Sequence, residues 1–297
     1  MPLPRILTIV ADRRAGSLTD AQIALAREMV VGRLPRILSD GEAAEIPCAA
    51  HSFSQPSLAS IRAAFAGQSI DVLFTRARGQ RKGLLVADMD STIVTSETLD
   101  ELAGHAGVGA RVAAITARSM NGEIDFADAL RERVALLRGL DTGALERTLA
   151  GTGLTPGAIT LVATMRAHNA RCVLVSGGFT WFTSRIAALC GFDEHHANTL
   201  EEADGKLTGM VGEPILGRGA KREILSRLAE ARKLRLAATL AVGDGANDIE
   251  MLSEAGLGIA FHAKPVVTQA IDNRIDHADL RALLFAQGYP ASAFLGN

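Results

Sequence analysis

The chain has 297 residues, 48% hydrophobic and 22% charged, with 31 Lys and Arg against 33 Asp and Glu for a formal net charge of -2. That length allows two domains, or one large domain with an insertion, and the composition is that of an ordinary globular protein. The near-neutral balance offers no face for nucleic acid and no polybasic face for a membrane, so any attraction for an anion must be local.

The first apolar stretch, Ile6 to Ala11, is six residues long. It is too short for a signal peptide, and no later segment approaches the roughly 18 uninterrupted apolar residues of a spanning helix. Cys48, Cys172 and Cys190 are isolated; they form no zinc-type pair and no disulfide framework, and are expected as buried free thiols in a reducing cytoplasm.

Ile6 to Ala11 is predicted as a strand and Thr19 to Val31 as a helix, with Ala21, Ala24, Leu25 and Met29 at helical spacing. Apolar runs near Ile37 and Ile46 fit strands, followed by a helix around Leu58 to Phe65 and a strand at Ile70 to Phe74. These make residues 1–80 a small α+β domain. The charged, glycine-containing stretch at 75–83 marks its boundary.

Residues 84–87 are a continuous apolar run, as expected for a strand buried on both faces of a parallel sheet. Similar runs lie at Cys172 to Val175, Ala238 to Val242 and Leu257 to Ala260. Helical segments separate them, which predicts a doubly wound α/β domain over 81–297. Between about Thr95 and Leu154 only helices are read, an inserted cap over the sheet edge.

Four segments carry possible chemistry, three of them directly after predicted strands, where ligands bind in open α/β sheets. Asp88 and Asp90 in DMDST could share a cation and divide the work of nucleophile and acid-base, although Asp and Ser after a strand also make turns and caps. Ser176 and Gly177 in SGGF offer a hydroxyl and free N–H groups to an anion at a helix start. Asp244, Asn247 and Asp248 in GDGAND add hard oxygen ligands that suit Mg2+. Lys221, at the start of a helix, opposes the helix dipole unless it faces a phosphate and an aspartate. Together these are the parts that phosphoryl transfer needs.

DMDST, SGGF, a lysine and VGDGANDIEML, in that order, resemble the haloacid dehalogenase superfamily of aspartate-nucleophile phosphatases, and more closely its phosphoserine phosphatase branch. The resemblance spans residues 84 to about 285 and includes Glu97, the stretch Met120 to Phe126, ALRERVALL, and a tail of AFHAKP and HADLRALL. It implies hydrolysis of a small-molecule phosphoester, phosphoserine, as the last step of serine biosynthesis. Asp88 would become aspartyl-phosphate, and Asp90 would act as acid and then base. Mg2+ would be held by Asp88, the Asp90 main-chain carbonyl and Asp244. Ser176, the Gly177 N–H and Lys221 would bind the phosphoryl oxygens, Asn247 would line the pocket, and Asp248 would orient Lys221 or a metal-bound water. In the cap, Glu97 would take the substrate ammonium and Arg133 its carboxylate, with Met120 and Phe126 excluding water. Spacing does not separate Arg131 from Arg133; the resemblance does.

The same features leave open a related phosphatase or phosphotransferase acting on phosphohomoserine or phosphothreonine, and a non-enzymatic receiver or amino-acid sensor. Residues 1–80 match no catalytic pattern. They could be a diverged amino-acid-binding fold of the ACT type, regulatory or mediating a homodimer through strand edges. A chain beginning near Gln80 is expected to fold and act alone.

Overall fold

The structure, a computed structural model, describes residues 5–48, 57–120, 123–217 and 219–296. Its N-terminal region runs β1 (Arg5–Ala11), α1 (Asp20–Met29), β2 (Arg36–Ser39), β3 (Ala43–Pro47), α2 (Leu58–Ala64) and β4 (Ile70–Arg76). The strands form an antiparallel sheet ordered β2-β3-β1-β4, the split β-α-β arrangement of ferredoxin-like folds. Thr19 starts α1 with a reciprocal cap: its N–H donates to Gln22 Oε1 at 2.8 Å and its hydroxyl accepts the Gln22 N–H at 3.3 Å. α1 and α2 cover one face of the sheet, with Ile23, Ala26 and Ile61 against Leu7, Ile9 and Val72.

The second region begins with β5 (Leu84–Ala87), whose four side chains are all fully buried. Helices α3 (Thr98–His105), α4 (Gly109–Met120), α5 (Phe126–Ala135) and α6 (Gly143–Gly151) then form the cap. The chain returns through α7 (Ala158–Ala167), β6 (Arg171–Phe179), α8 (Thr180–Cys190) and β7 (Glu194–Asn198). A hairpin of β8 (Leu200–Ala203) and β9 (Lys206–Val211) follows, then α9 (Ala220–Ala231), β10 (Thr239–Gly243), α10 (Ile249–Glu254) and β11 (Leu257–Phe261). α11 (Pro265–Ala270), β12 (Arg274–Ile275) and α12 (Ala282–Ala286) complete it.

The large sheet is parallel throughout, ordered β12-β11-β10-β5-β6-β7. Helices cover both faces, as in doubly wound folds, which meets the expected fold class. No described helix is long and apolar enough to cross a membrane. The three cysteines are free and buried.

Two features differ from what the sequence pattern indicates. β6 continues through Ser176-Gly177-Gly178, so that segment is a bulged strand end rather than a turn. β7, whose sequence EHHAN lacks an apolar run, is a half-exposed edge strand.

The second face of the N-terminal sheet packs on the large domain. Val10, Leu38, Ala43 and Leu73 share one apolar cluster with Leu283, Leu284 and Phe285. The Asp71 carboxylate, 3% exposed, accepts the N–H groups of Asp276, His277 and Ala278 at 2.8, 3.1 and 2.8 Å. The Asn273 side chain pairs with both the N–H (2.8 Å) and the carbonyl (3.0 Å) of Phe74, closing the β4 edge. The two sheets therefore share a core at a junction that the boundary near residue 80 does not reveal.

Candidate active site

β6, β5 and β10 are adjacent and parallel, so the loops that follow them open on one edge of the sheet. Asp88 follows β5, and its N–H is held by the Val242 carbonyl of β10 at 3.0 Å. Gly243 ends β10 where a Cβ would lie 2.4 Å from Asp248 Cγ; the bare backbone lets the Asp248 side chain fold beneath the loop. There Asp248 Oδ2 accepts the Gly245 N–H at 3.0 Å.

Lys221, in the first turn of α9, reaches into this edge. Its Nζ donates to Asp88 Oδ1 at 2.5 Å and to Asp248 Oδ1 at 2.6 Å, and all three side chains are buried. Burial works against the ammonium, but the two carboxylates outweigh it and hold Lys221 protonated above its ordinary range. Burial pushes the Asp88 carboxyl up, Asp248 and Asp244 push it the same way, and Lys221 opposes them. Asp88, Asp244 and Asp248 bring carboxylate oxygens within 4.8 Å of one another, an acidic triad of hard donors able to hold a divalent cation.

Asp90 has a different environment. Its Oδ1 accepts the Thr98 N–H at 2.9 Å and its Oδ2 accepts the Ser176 hydroxyl at 3.0 Å, while Ser176 Oγ accepts the Gly178 N–H at 2.8 Å. Burial raises the Asp90 carboxyl to about 6, against the opposing Thr98 N–H. A carboxyl of that acidity can give and take a proton near neutrality.

The cap roofs this edge. Asp125 caps α5 by accepting the Asp128 N–H at 2.8 Å, fixing the helix start that carries Phe126. A Cβ on Gly177 would lie 3.2 Å from Phe126 Cζ and 4.0 Å from Asn247 Nδ2, so these three residues meet at one spot. Arg133 is part-buried, its Nε donates to the Ala129 carbonyl at 3.2 Å, and Asp100 and Glu97 are the carboxylates that act on it. Arg131 is exposed and already engaged by Asp128 at 3.0 Å and Glu213 at 2.8 Å. Glu97 Oε1 accepts the Ser91 hydroxyl at 2.9 Å. The Met120 side chain lies outside the described residues.

Of the expected site residues, Asp88, Asp90, Ser176, Gly177, Lys221, Asp244, Asn247 and Asp248 lie at this sheet edge with Phe126 and Glu97 of the cap beside them, and the structure adds others. Lys264 ion-pairs with Asp244 Oδ2 at 3.3 Å and Glu97 Oε1 at 3.6 Å, joining the β10 loop to the cap entrance. Its only sequence signal is its place in AFHAKP. Thr98 supplies its backbone N–H to Asp90, a contact that side-chain identity does not advertise.

Comparison with known proteins places the chain in a family. Residues 85–253 match the family model for haloacid dehalogenase-like hydrolases. A phosphoserine phosphatase of Streptomyces coelicolor is 42% identical over 226 residues, covering 76% of this chain and 55% of its own length. The chain therefore spans little more than half of that relative. A phosphoserine phosphatase solved as a phospho-aspartyl intermediate analogue is 41% identical, covers 69% of this chain and 98% of its own, and superposes with a TM-score of 0.65. A HAD family hydrolase of Salmonella enterica serovar Typhi covers 95% of this chain and 98% of its own, with a TM-score of 0.85 and 27% identity. With more than half of its residues matched by the family model and its motif loops gathered on one sheet edge, the chain belongs to the haloacid dehalogenase-like hydrolase family.

Proposed function

We propose that the chain hydrolyses O-phosphoserine to serine and phosphate through an aspartyl-phosphate on Asp88. What carries the proposal is that two carboxyl groups two residues apart stand in opposed environments, Asp88 against the Lys221 ammonium and Asp90 in a hydrogen-bonded niche with its carboxyl raised to about 6. An Asp88 oxygen attacks phosphorus as the bond to the serine oxygen breaks, and Asp90 gives that oxygen its proton. Asp90 then takes a proton from the water that cleaves the aspartyl-phosphate. Ser176, the Gly177 N–H and Lys221 hold the phosphoryl oxygens, Asn247 lines the pocket, and Asp248 keeps Lys221 in place.

The cofactor in this proposal is Mg2+, which Asp88 and Asp244, two carboxylates of the acidic triad, would hold together with the Asp90 carbonyl, a hard-oxygen donor set suited to that ion. When bound it supplies positive charge that offsets repulsion between nucleophile and phosphate. Glu97 takes the substrate ammonium and Arg133 its carboxylate, with Phe126 and Met120 excluding water; the engagement of Arg131 elsewhere supports the choice of Arg133. A cytoplasmic site of action accords with three free buried thiols. The N-terminal region serves association or regulation by an amino acid. Its β2 edge, with exposed Leu34 and Ile37, is the side open to a second copy.

Phosphate release from O-phosphoserine with Mg2+, repeated in excess EDTA, tests the proposal. Turnover that stops with EDTA and returns with Mg2+ is expected. Full activity in EDTA, with no metal in the preparation, removes the cofactor. A strong preference for phosphohomoserine or phosphothreonine moves the substrate, and no turnover on any phosphoester leaves a receiver or sensor.

A further inference from the structure

Asn198 occupies a place that none of the motifs predicts. It is the last residue of β7, its side chain is 1% exposed, and it faces the bulge at the end of β6. Val175 pairs with His196 and Phe179 with Asn198, so three β6 residues, 176 to 178, stand against the single residue 197 of β7. The bulge turns the Ser176-Gly177-Gly178 backbone out of the sheet ladder, where its polar groups need other partners.

Asn198 Nδ2 donates to the Gly177 carbonyl at 2.9 Å, and its Oδ1 accepts the Leu216 N–H at 2.7 Å. The Leu216 N–H can only donate, which fixes the amide orientation and leaves the NH2 for Gly177. A trans peptide points its carbonyl and N–H in opposite directions. Holding the Gly177 carbonyl towards Asn198 therefore directs the Gly178 N–H the other way, onto Ser176 Oγ at 2.8 Å. Ser176 in turn donates to Asp90 Oδ2 at 3.0 Å. On its other side, Leu216 belongs to the loop that leads into α9 and Lys221.

We infer that Asn198 is a positioning residue for phosphoryl binding: one buried amide staples the Ser176–Gly178 bulge to the loop before Lys221 and sets the direction of the Ser176 hydroxyl. This inference rests on the proposed phosphatase site, but its test reads phosphate binding and needs no turnover.

Asn198→Asp is nearly isosteric. It keeps an acceptor for the Leu216 N–H and sets a carboxylate oxygen against the Gly177 carbonyl; Asn198→Ser removes both bonds with less repulsion. Each variant, as the full chain, is titrated with inorganic phosphate in the presence of Mg2+, and separately with Mg2+ alone by thermal shift. The expected result is phosphate affinity about tenfold weaker in both variants, the scale of a lost and mispaired hydrogen bond, with the Mg2+-induced rise in Tm unchanged. Phosphate affinity within twofold of the parent in a folded variant overturns the staple. Loss of Mg2+ and phosphate binding in equal proportion, or failure of both variants to fold cooperatively, makes Asn198 a residue of general stability and overturns it equally. If the parent binds phosphate as expected but leaves phosphoserine intact, the proposed substrate fails and the staple stands.

Discussion

Asp88, at the sheet edge of the candidate site, and Asp71, at the junction of the two sheets, are buried to nearly the same degree, 5% and 3% exposed. Burial raises both carboxyl groups. Around Asp88, three carboxylates in all face two ammonium groups, Lys221 between Asp88 and Asp248 and Lys264 beside Asp244. Around Asp71, three main-chain N–H groups converge on a single carboxylate. The first arrangement keeps charge unbalanced where a cation and a phosphate can complete it. The second is complete within the chain and joins two sheets. Equal burial therefore separates into a charge kept for chemistry and a charge kept for cohesion.

Breaking each in turn gives the sharpest test. Asp88→Asn should lower turnover of phosphoserine by about four factors of ten or more, the scale of losing a nucleophile, while circular dichroism shows the fold retained. Residual activity within about tenfold of the parent would take Asp88 out of the nucleophile role. Asp71→Ala should do the reverse. Leaving three N–H groups, that of Ala278 buried and those of Asp276 and His277 part-buried, without an acceptor should cost roughly 3 kcal/mol in chemical denaturation, with turnover per folded molecule within about twofold of the parent. A chain beginning near Gln80 loses the same bonds and the apolar face of Val10, Leu38, Ala43 and Leu73 besides. It should be destabilised by at least as much.

Arg133→Ala probes the cap. Loss of a charge-assisted pair should reduce kcat/KM for phosphoserine by roughly 1.5–3 kcal/mol, about one to two factors of ten, and spare a generic aryl phosphate. Equal losses on both substrates would assign Arg133 to the fold or to the phosphate. The smallest effect concerns pH. With the Asp90 carboxyl at about 6, its protonated, proton-donating form is depleted as pH rises through that value. The phosphoserine rate should then fall several-fold further by about pH 8 than the rate on an aryl phosphate, whose leaving group needs little protonation. Superimposable pH profiles would remove Asp90 as the acid.

The motif loops were legible in the sequence because each follows an apolar strand run, and adjacent parallel strands deliver their ends to one edge. The helical cap was legible because no strand-like run interrupts residues 95–154. The β-α-β-β-α-β order of the N-terminal region could be read from its alternating runs. Contacts at long range could not. Asp71 meets its partners 205 to 207 residues away, and nothing near Asp71 marks it as other than a surface acid. Lys264 acquires meaning only between Asp244 and Glu97, and Asn198 only beside a bulge whose glycines read as a turn. β7 escaped because an edge strand needs no continuous apolar run.

The β8–β9 hairpin ties the cap to the loops beside the site. Its root is pinned where Asn198, just before β8, bonds Leu216, beyond β9. Along its length it is fastened to the cap: the Gly139 N–H donates to the Leu207 carbonyl at 2.8 Å, the Leu207 N–H to the Leu140 carbonyl at 2.9 Å, and the Thr142 N–H to the Gly205 carbonyl at 2.9 Å. A swing of the cap must either carry this arm with it or break these bonds. At the root of the arm, the same amide donates to the Gly177 carbonyl. The roof and the floor of the site are thus joined through one two-stranded arm, by hydrogen bonds along its length and at its root.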